Sequence, residues 1–244
     1  MAKTRIDKFI SDSGIASRRE CAAAAKRGGV VIDGVPIRDV SRHIDPERQS
    51  VVYLGREIPY RKFTYVMLNK PEGYVSATED SKLPVVTELL PVELRKMELF
   101  PVGRLDRDTV GLMILTNDGK LAHTLLSPRR HVEKVYFFRC AEPLRKDVEE
   151  LFLKGAVLSD GYECKSAVIT PAPDRLSGEI VLTEGKYHQI KRMVASVGNR
   201  VTYLERISFG GIALDGALSR GEWRYLQKDE EDKLLSAANR KDEN

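Results

Sequence analysis

The chain has 244 residues, of which 42% are hydrophobic and 31% are charged, and its formal net charge is +4 at neutral pH. This length accommodates one large domain or a small and a medium one, and the three widely spaced cysteines form neither a zinc pattern nor a disulfide framework. No stretch approaches the roughly 20 apolar residues of a transmembrane helix, and the N-terminus lacks the apolar core of a signal peptide, so we expect a cytoplasmic protein.

The first quarter of the chain is predicted to form a compact unit of two helices and a hairpin. Apolar residues at helical spacing predict a first helix over residues 5–12. A second helix over residues 17–27 opens on Ser17 with Glu20 three positions later, which is the capping-box pattern. An Asp-Gly pair then predicts a tight hairpin turn. Two strands are predicted, at residues 30–35 and 51–54.

One face of the second helix is predicted to be strongly basic. Arg19 and Lys26 are seven positions apart and so share this face, and Arg18 and Arg27 flank it. Residues 1–62 hold 13 Lys and Arg against 8 Asp and Glu, so the basic excess of the whole chain lies in this quarter. A localised positive charge suits a polyanionic partner, and we expect these four cations to contact phosphates.

The rest of the chain is predicted to form a larger domain of mixed strands and helices. The expected organisation is a first domain at 1–59, a linker at 60–63, a second domain at 64–232 and a polar tail at 233–244. Strands are predicted at 64–69, 110–116, 134–140, 166–170, 178–184, 200–206 and 223–226, and helices at 84–90, 119–126, 143–153 and 187–197. Because strands and helices do not alternate regularly, the pattern favours an α+β fold with a mixed, mostly antiparallel sheet flanked by helices.

A charged segment ahead of one predicted strand is the candidate for chemistry. Residues 103–119, GRLDRDTVGLMILTNDG, place Asp106 and Asp108 directly before a buried apolar run. A calcium loop would use these carboxylates as its first and third ligands. It would then need ligands at Val110 and at Asn117, where a bidentate glutamate is required, so calcium binding is excluded.

The segment DRDTV also fits the Asp-x-Asp-x-Thr/Val signature of phosphohydrolases, in which the first aspartate attacks phosphorus. In that class the signature follows the end of an apolar parallel strand, whereas here the apolar run comes after it. The chain also offers no later Gly-Asp or Asp-Asp pair to hold magnesium. The pattern therefore argues against phosphoryl transfer.

Longer motifs resemble known families in both parts of the chain. The segment IDKFISDSGIASRRECAAAAKRGGVVIDG, within residues 3–58, resembles the small RNA-binding domain named after ribosomal protein S4. The motifs NKPEGYVSA, GRLDRDTVGLMILTNDG and EGKYHQIKRMVASVG occur in the order and spacing of RsuA-like pseudouridine synthases, which residues 65–225 resemble. The resemblance implies a catalytic α+β domain preceded by an RNA-binding domain.

This resemblance implies an isomerase that converts one specific uridine of ribosomal RNA to pseudouridine. The reaction breaks a C–N glycosidic bond and forms a C–C bond to the same sugar without a redox or phosphate step, so no metal and no organic cofactor are expected. By their motif positions, Asp106 is the catalytic carboxylate and Tyr136 stacks on the base. Lys191 pairs with the aspartate, at a position where many synthases carry arginine.

The same resemblance and the local sequence predict supporting roles for neighbouring residues. Arg104 is expected to contact RNA, and Arg192 is the second-choice partner for the catalytic aspartate and otherwise an RNA contact. Asp108 is expected only to stabilise the turn. Tyr187 and His188 are expected to be structural or to face the RNA.

The segments KPEGYVSATED, EKVY and YHQIKRM are closer to the small-subunit enzymes than to their large-subunit relatives. The expected partner is therefore small-subunit ribosomal RNA, free or within a subunit assembly intermediate, and the chain is expected to act as a monomer. The alternatives are a large-subunit ribosomal RNA synthase and a non-catalytic RNA-binding assembly factor. The joint presence of Asp106, Tyr136 and Lys191 argues against a non-catalytic factor.

Overall fold

The computed structural model describes residues 3–60 and 62–239. Parts of the predicted linker at 60–63 and of the predicted tail at 233–244 lie outside these residues. Within the described part of the chain, no helix is both long enough and apolar enough to cross a membrane.

The chain forms two compact units. The first runs to Thr64 and also includes Leu90–Leu99, whereas the second comprises Tyr65–Leu89 and the chain from Phe100 onward. The segment Leu90–Leu99 had been predicted within the larger domain. In the structure it packs with the first unit, and its main chain at Glu93 approaches Gly14 so closely that a Cβ there would lie 2.6 Å from the Glu93 carbonyl oxygen.

The first unit combines helices with two small sheets. Its elements are β1 (Thr4–Arg5), α1 (Ile6–Asp12), α2 (Arg18–Lys26), β2 (Val30–Ile32), β3 (Val35–Pro36), β4 (His43–Ile44), β5 (Val51–Tyr53), β6 (Arg56–Glu57) and α3 (Val92–Arg95). β1 pairs with β4, and the other strands form a sheet in the order β3–β2–β5–β6. The capping box of Ser17 and Glu20 and the hairpin between β2 and β3 are confirmed.

The helix α2 buries its small residues and exposes its cations. Cys21, Ala24 and Ala25 are buried in the core of this unit. The four cations predicted to contact phosphates are all exposed: Arg18, Arg19, Lys26 and Arg27. Small buried side chains on one side and charged ones on the other leave a basic face on the surface of the unit.

The second unit is an α+β domain. Its elements are β7 (Tyr65–Lys70), β8 (Phe100–Pro101), β9 (Val110–Thr116), α4 (Gly119–Leu126), β10 (Lys134–Cys140), α5 (Val148–Lys154), β11 (Val168–Pro171), β12 (Ser177–Leu182), α6 (Gln189–Ser196), β13 (Val201–Phe209), β14 (Ile212–Ala213), β15 (Trp223–Tyr225) and α7 (Lys228–Asn239). The strands form one sheet in the order β11–β12–β10–β13–β9–β7–β15, with β14 beside β13 and β8 beside β9. Among the described strands only β13 and β9 pair in parallel, so the predicted mixed, mostly antiparallel sheet is confirmed.

Two predicted helices differ in the structure. The segment predicted as a helix at 84–90 forms only a 3-10 turn at Val86–Leu89. Its start is extended because Val85 forms a parallel bridge with Val75, and its end is limited because Pro91 disfavours a helical conformation at the residue before it. The helix predicted at 143–153 begins at Val148. Its first predicted turn is absent because the amide of Leu144 donates to the carbonyl of Arg175 at 2.9 Å.

The C-terminal helix extends further than the predicted domain boundary at residue 232. α7 continues to Asn239, and its residues Leu234, Ala237 and Ala238 are buried. These three apolar side chains lie on one helical face, which the polar composition of the segment concealed.

Four positions lie side by side across the centre of the large sheet. The strand register pairs Lys70 with Gly111, Gly111 with Arg206, and Arg206 with Tyr136. Directly paired residues point to the same face of a sheet, so these three side chains share one face. Lys70 is 0% exposed and Arg206 is 2% exposed. The sheet therefore carries two buried cations beside the start of β9.

Gly111 makes the parallel pairing of β9 with β13 possible. Its φ is +98°, and a Cβ there would lie 2.4 Å from the carbonyl oxygen of Arg206 and 2.9 Å from Cγ of Glu205. Any other L-residue would thus have to push β13 away from β9. This close approach holds the strand that follows the two carboxylates.

The buried amine of Lys70 is bonded to main-chain carbonyls. Its Nζ donates to the carbonyl oxygens of Thr109 at 2.8 Å, Pro71 at 3.1 Å and Arg107 at 3.2 Å. Burial lowers the pKa of Lys70 to about 8, although nearby carboxylates including Asp108 and Asp106 oppose the shift. Carbonyl oxygens carry only partial charge, so they satisfy the donors without a full counter-ion.

We expect Gly111→Ala to destabilise the fold strongly. Positive φ alone costs an L-residue about 1–2 kcal/mol, and the overpacking against β13 should add about 1–3 kcal/mol to the loss of unfolding free energy. Gly161→Ala is the matched control, since Gly161 has a φ of +81° and no atom within 4 Å of its Cβ position. Urea unfolding of both variants measures the difference, and equal losses would contradict the proposed steric role of Gly111.

The second prediction concerns the pH dependence of stability. Between the folded pKa of about 8 for Lys70 and the unfolded value of about 10.4, the unfolded chain binds more protons, so this group makes stability rise with pH. Relative to Lys70→Met, the wild type should gain about 2 kcal/mol of unfolding free energy between pH 7 and 9.5.

Urea unfolding across this pH range tests the prediction for Lys70. Lys134→Met is a positive control, because burial also lowers the pKa of Lys134 to about 8. Suppose that the unfolding free energies of the wild type and Lys70→Met run parallel with pH, while Lys134→Met shows a flatter pH dependence than the wild type. That result would show that Lys70 is not desolvated.

Candidate active site

The segment between β8 and β9 carries both carboxylates and is held by two buried polar side chains. Ser76 Oγ accepts from the amide of Leu105 at 2.9 Å and donates to the Leu105 carbonyl at 2.8 Å. Lys70 holds two carbonyls further along the same segment. Asp106 therefore lies between main-chain positions fixed on both sides. The sequence analysis missed Lys70 and Ser76, although both lie within the motif NKPEGYVSA.

A buried carboxylate organises the loop that leads into α6. Glu184 is 7% exposed and accepts from the Tyr162 hydroxyl at 2.8 Å, the Lys165 amide at 2.9 Å and Gln189 Nε2 at 2.6 Å. Gln189 Oε1 in turn accepts from the amide of Lys186 at 2.9 Å. This network fixes the start of the helix that carries the predicted basic residue, and sequence reasoning did not identify it.

Lys191 contacts both carboxylates of the opening segment. Its Nζ lies 2.9 Å from Asp106 Oδ2 and 2.6 Å from Asp108 Oδ1. The structure thus brings Lys191 to Asp106, 85 positions away in the sequence. Asp108 had been expected only to stabilise a turn. This expectation is corrected, because its carboxylate shares the ammonium group with Asp106.

The contact between Lys191 and the carboxylates shifts the pKa values of both Lys191 and Asp108. Burial alone would lower the pKa of Lys191, but its hydrogen bonds to Asp108 and Asp106 outweigh burial and raise the pKa above the ordinary value. Burial alone would raise the pKa of Asp108, and the hydrogen bond and charge of Lys191 reverse this and lower it. The lysine is therefore charged throughout the neutral pH range.

The other oxygen of Asp106 faces an imidazole. His188 Nε2 lies 3.6 Å from Asp106 Oδ1, within ion-pair distance when the ring is protonated. His188 has a left-handed backbone, with φ of 50° and ψ of 33°. Its ring stacks on that of Tyr187, with centroids 3.8 Å apart and an angle of 20° between the planes. The contact between His188 and Asp106 goes beyond the structural or RNA-facing roles that the sequence predicts for Tyr187 and His188.

The carboxylates open into a cleft of about 890 Å³. Its lining comes from three segments, residues 72–76, 104–108 and 185–191. Both charge signs are present, with four lining cations against three carboxylates. The cations are Arg104, Arg107, Lys186 and Lys191, and the carboxylates are Glu72, Asp106 and Asp108. The cleft is accessible to solvent and large enough for a nucleotide.

Tyr136 lies on β10, which is separated from β9 by one strand of the sheet. Its side chain is 9% exposed, and it is not among the described residues that line the cleft. The buried guanidinium of Arg206, the residue paired with Tyr136 in the sheet, donates to the carbonyl of Leu112 at 2.8 Å. The structure therefore gives Tyr136 a fixed position two strands from Gly111, about 10 Å away laterally.

The remaining predicted contacts divide between the cleft and other positions. Arg104 is exposed and lines the cleft. Arg192 does not reach Asp106 in the structure; its Nη2 lies 2.5 Å from Asp160 Oδ2. The basic face of α2 belongs to the first unit.

The chemistry of the cleft is that of a carboxylate beside a fixed cation. Among the described residues, no group of three or more His, Cys, Asp or Glu side chains is arranged to hold a metal ion. A carboxylate in an open cleft can act as a nucleophile or as a base. Lys191 stabilises its charge, and the cations around the rim suit a phosphate backbone.

Comparisons with known proteins identify the family. Residues 64–196 match the family model described as RNA pseudouridylate synthase, and residues 4–49 match the S4 domain. The chain is 45% identical to the uncharacterized RNA pseudouridine synthase YtzG of Bacillus subtilis, over 93% of this chain and 96% of that protein. It is 39% identical to ribosomal small subunit pseudouridine synthase A of Escherichia coli K12, over 93% and 97%.

A solved structure extends this similarity to the fold. A crystal structure of a pseudouridylate synthase superposes with a TM-score of 0.67 at 33% identity, covering 94% of this chain and 99% of that one. The matched regions include the predicted RNA-binding domain and the segment with the carboxylates. The chain belongs to the RNA pseudouridine synthase family.

Proposed function

We propose that this chain converts one specific uridine of small-subunit ribosomal RNA to pseudouridine, and that Asp106 is the carboxylate that acts at the sugar. The observation that carries the proposal is the ion pair between Asp106 and Lys191 at the wall of an open cleft. The similarity to the Escherichia coli small-subunit enzyme supports the choice of substrate. We further propose that the chain acts as a monomer in the cytoplasm.

The proposed reaction conserves the atoms of the substrate. The bond from N1 of uracil to C1′ breaks, the base turns, C5 bonds to C1′, the C5 proton leaves and N1 gains a proton. Asp106 acts either as a nucleophile at C1′ or as a base at C2′. Lys191 donates to Oδ2 of Asp106, which leaves Oδ1 to face the sugar beside His188.

The target nucleotide has to leave its stack before the sugar reaches Asp106. Such extrusion costs a few kcal/mol, and less at a single-stranded site. In this proposal Tyr136 contacts the extruded base. Because Tyr136 is 9% exposed, the base has to insert below the surface of the cleft to touch its ring. Arg104 at the rim is proposed to hold the phosphate backbone.

The test of the carboxylate assignment is tritium release from RNA labelled at C5 of uracil. We expect Asp106→Asn to lose activity by a factor on the order of 10³ or more, because its side chain can neither attack nor accept the proton. Asp108→Asn, which removes the other carboxylate on Lys191, should lose less than about tenfold. An active Asp106→Asn beside an inactive Asp108→Asn would overturn the assignment.

The same assay decides between the candidate functions. Labelled small-subunit and large-subunit ribosomal RNAs are offered separately to the wild type. Release from small-subunit RNA alone is the expected result, and release from large-subunit RNA alone would establish the alternative substrate. If neither RNA nor its precursor particles release tritium, the chain is an RNA-binding assembly factor.

A further prediction concerns the basic face of α2. Arg19→Glu with Lys26→Glu should weaken RNA binding and lower the slope of log K against log salt concentration by about 2, because each lost phosphate contact retains a counter-ion. Both side chains are exposed, so the unfolding free energy should change by less than about 0.5 kcal/mol per site.

The control for this pair keeps the same net charge change in the same unit. Lys8 and Arg48 already pair with Asp12 and Asp45, and Lys8→Glu with Arg48→Glu should leave most of the affinity intact. Filter binding at several salt concentrations compares the two double variants. Equal losses would mean that net charge, and not the α2 face, governs binding.

A further inference from the structure

We propose that Tyr187 is a stacking platform for a nucleobase next to the target uridine. This inference rests on the proposed function, since it assumes that an RNA strand occupies the cleft. Tyr187 lines the cleft together with Asp106. Its side chain is 76% exposed, the largest exposure of any bulky apolar or aromatic side chain among the described residues.

The ring of Tyr187 is supported from one side and open on the other. His188 covers one face in a stacked arrangement, with centroids 3.8 Å apart. His188 is itself held by its left-handed backbone and by the approach of its Nε2 to Asp106 Oδ1 at 3.6 Å. A ring fixed in this way loses little freedom when a base stacks on its outer face, which favours binding.

The main chain under Tyr187 is also anchored. Arg192 Nη1 donates to the carbonyl of Tyr187 at 3.4 Å, and its Nη2 pairs with Asp160 at 2.5 Å. Arg192, which the sequence offers as an alternative partner for Asp106, thus supports this loop instead. The exposed aromatic ring is therefore held in place by both side-chain stacking and main-chain bonding.

The chemistry around Tyr187 fits a nucleic-acid strand. Arg104, Arg107 and Lys186 line the same cleft and provide positive charge for phosphates. An aromatic face among such cations is the arrangement by which proteins hold unpaired RNA, with bases on rings and the backbone on cations. Stacking accepts any base, so this position would contribute affinity and register more than base identity.

The occupant of the platform is a neighbour of the target and not the target itself. His188 covers the inner face of the Tyr187 ring, and it approaches Asp106 through its edge atom Nε2. A base on the outer face of Tyr187 is therefore two stacking layers away from the imidazole whose edge contacts the carboxylate. The sugar of that nucleotide cannot lie at Asp106 at the same time, so the stacked base belongs to an adjacent position in the strand.

The experiment combines protein variants with abasic RNA. Tyr187→Leu and Tyr187→Phe are compared with the wild type on the substrate RNA and on RNAs with one abasic nucleotide at each position flanking the target. Dissociation constants and single-turnover rates are both measured. Tyr187→Leu should bind intact RNA about tenfold more weakly, and Tyr187→Phe should bind it like the wild type.

One abasic RNA should remove the difference between Tyr187→Leu and the wild type, which identifies the stacked nucleotide. Equal binding of intact RNA by Tyr187→Leu and the wild type would overturn the proposal. So would a loss in Tyr187→Leu that persists on every abasic RNA, or a loss in Tyr187→Phe as large as that in Tyr187→Leu. Because affinity is measured separately from turnover, a wild type that binds but does not isomerise would contradict the proposed function alone.

Discussion

The interaction on which the site depends is one ammonium group held between two carboxylates. Lys191 lies within 3 Å of oxygens from both Asp106 and Asp108, so the two carboxylates share its charge. The side chains of Lys191 and Asp106 are only 23% and 26% exposed. This limits screening by water and makes their attraction stronger than that of a surface ion pair. Asp106 therefore has a fixed counter-charge and still faces an open cleft.

The fold supports this ion pair from both sides with buried polar groups. On one side Lys70 and Ser76 hold the main chain around Asp106. On the other side Glu184 and Gln189 hold the loop before α6. Buried polar groups cost free energy unless they are fully bonded, and each of these four is bonded to main chain or to another buried group. They therefore fix positions at the site that apolar packing alone would not specify.

The sequence predicted strands better than it predicted the buried cations. β9 and β10 have the predicted bounds, because continuous apolar or alternating runs bounded by polar residues are local signals. Lys70 and Arg206 gave no such signal. A local pattern treats a long charged residue as exposed, and the main-chain carbonyls of Thr109 and Leu112, to which they donate, are distant from them in sequence. The hydrogen bond that Lys191 donates to Asp108 joins residues 83 positions apart, so a local sequence pattern does not reveal it either.

The most direct test of the account is the rate of the chemical step when the charge on Lys191 is changed. Single-turnover rates at saturating RNA compare the wild type with Lys191→Arg, which keeps the charge, and Lys191→Met, which keeps the length without it. The account predicts that Lys191→Met slows the step by a factor on the order of 10² or more, while Lys191→Arg stays within about tenfold. Isomerisation by Lys191→Met at the wild-type rate would contradict it.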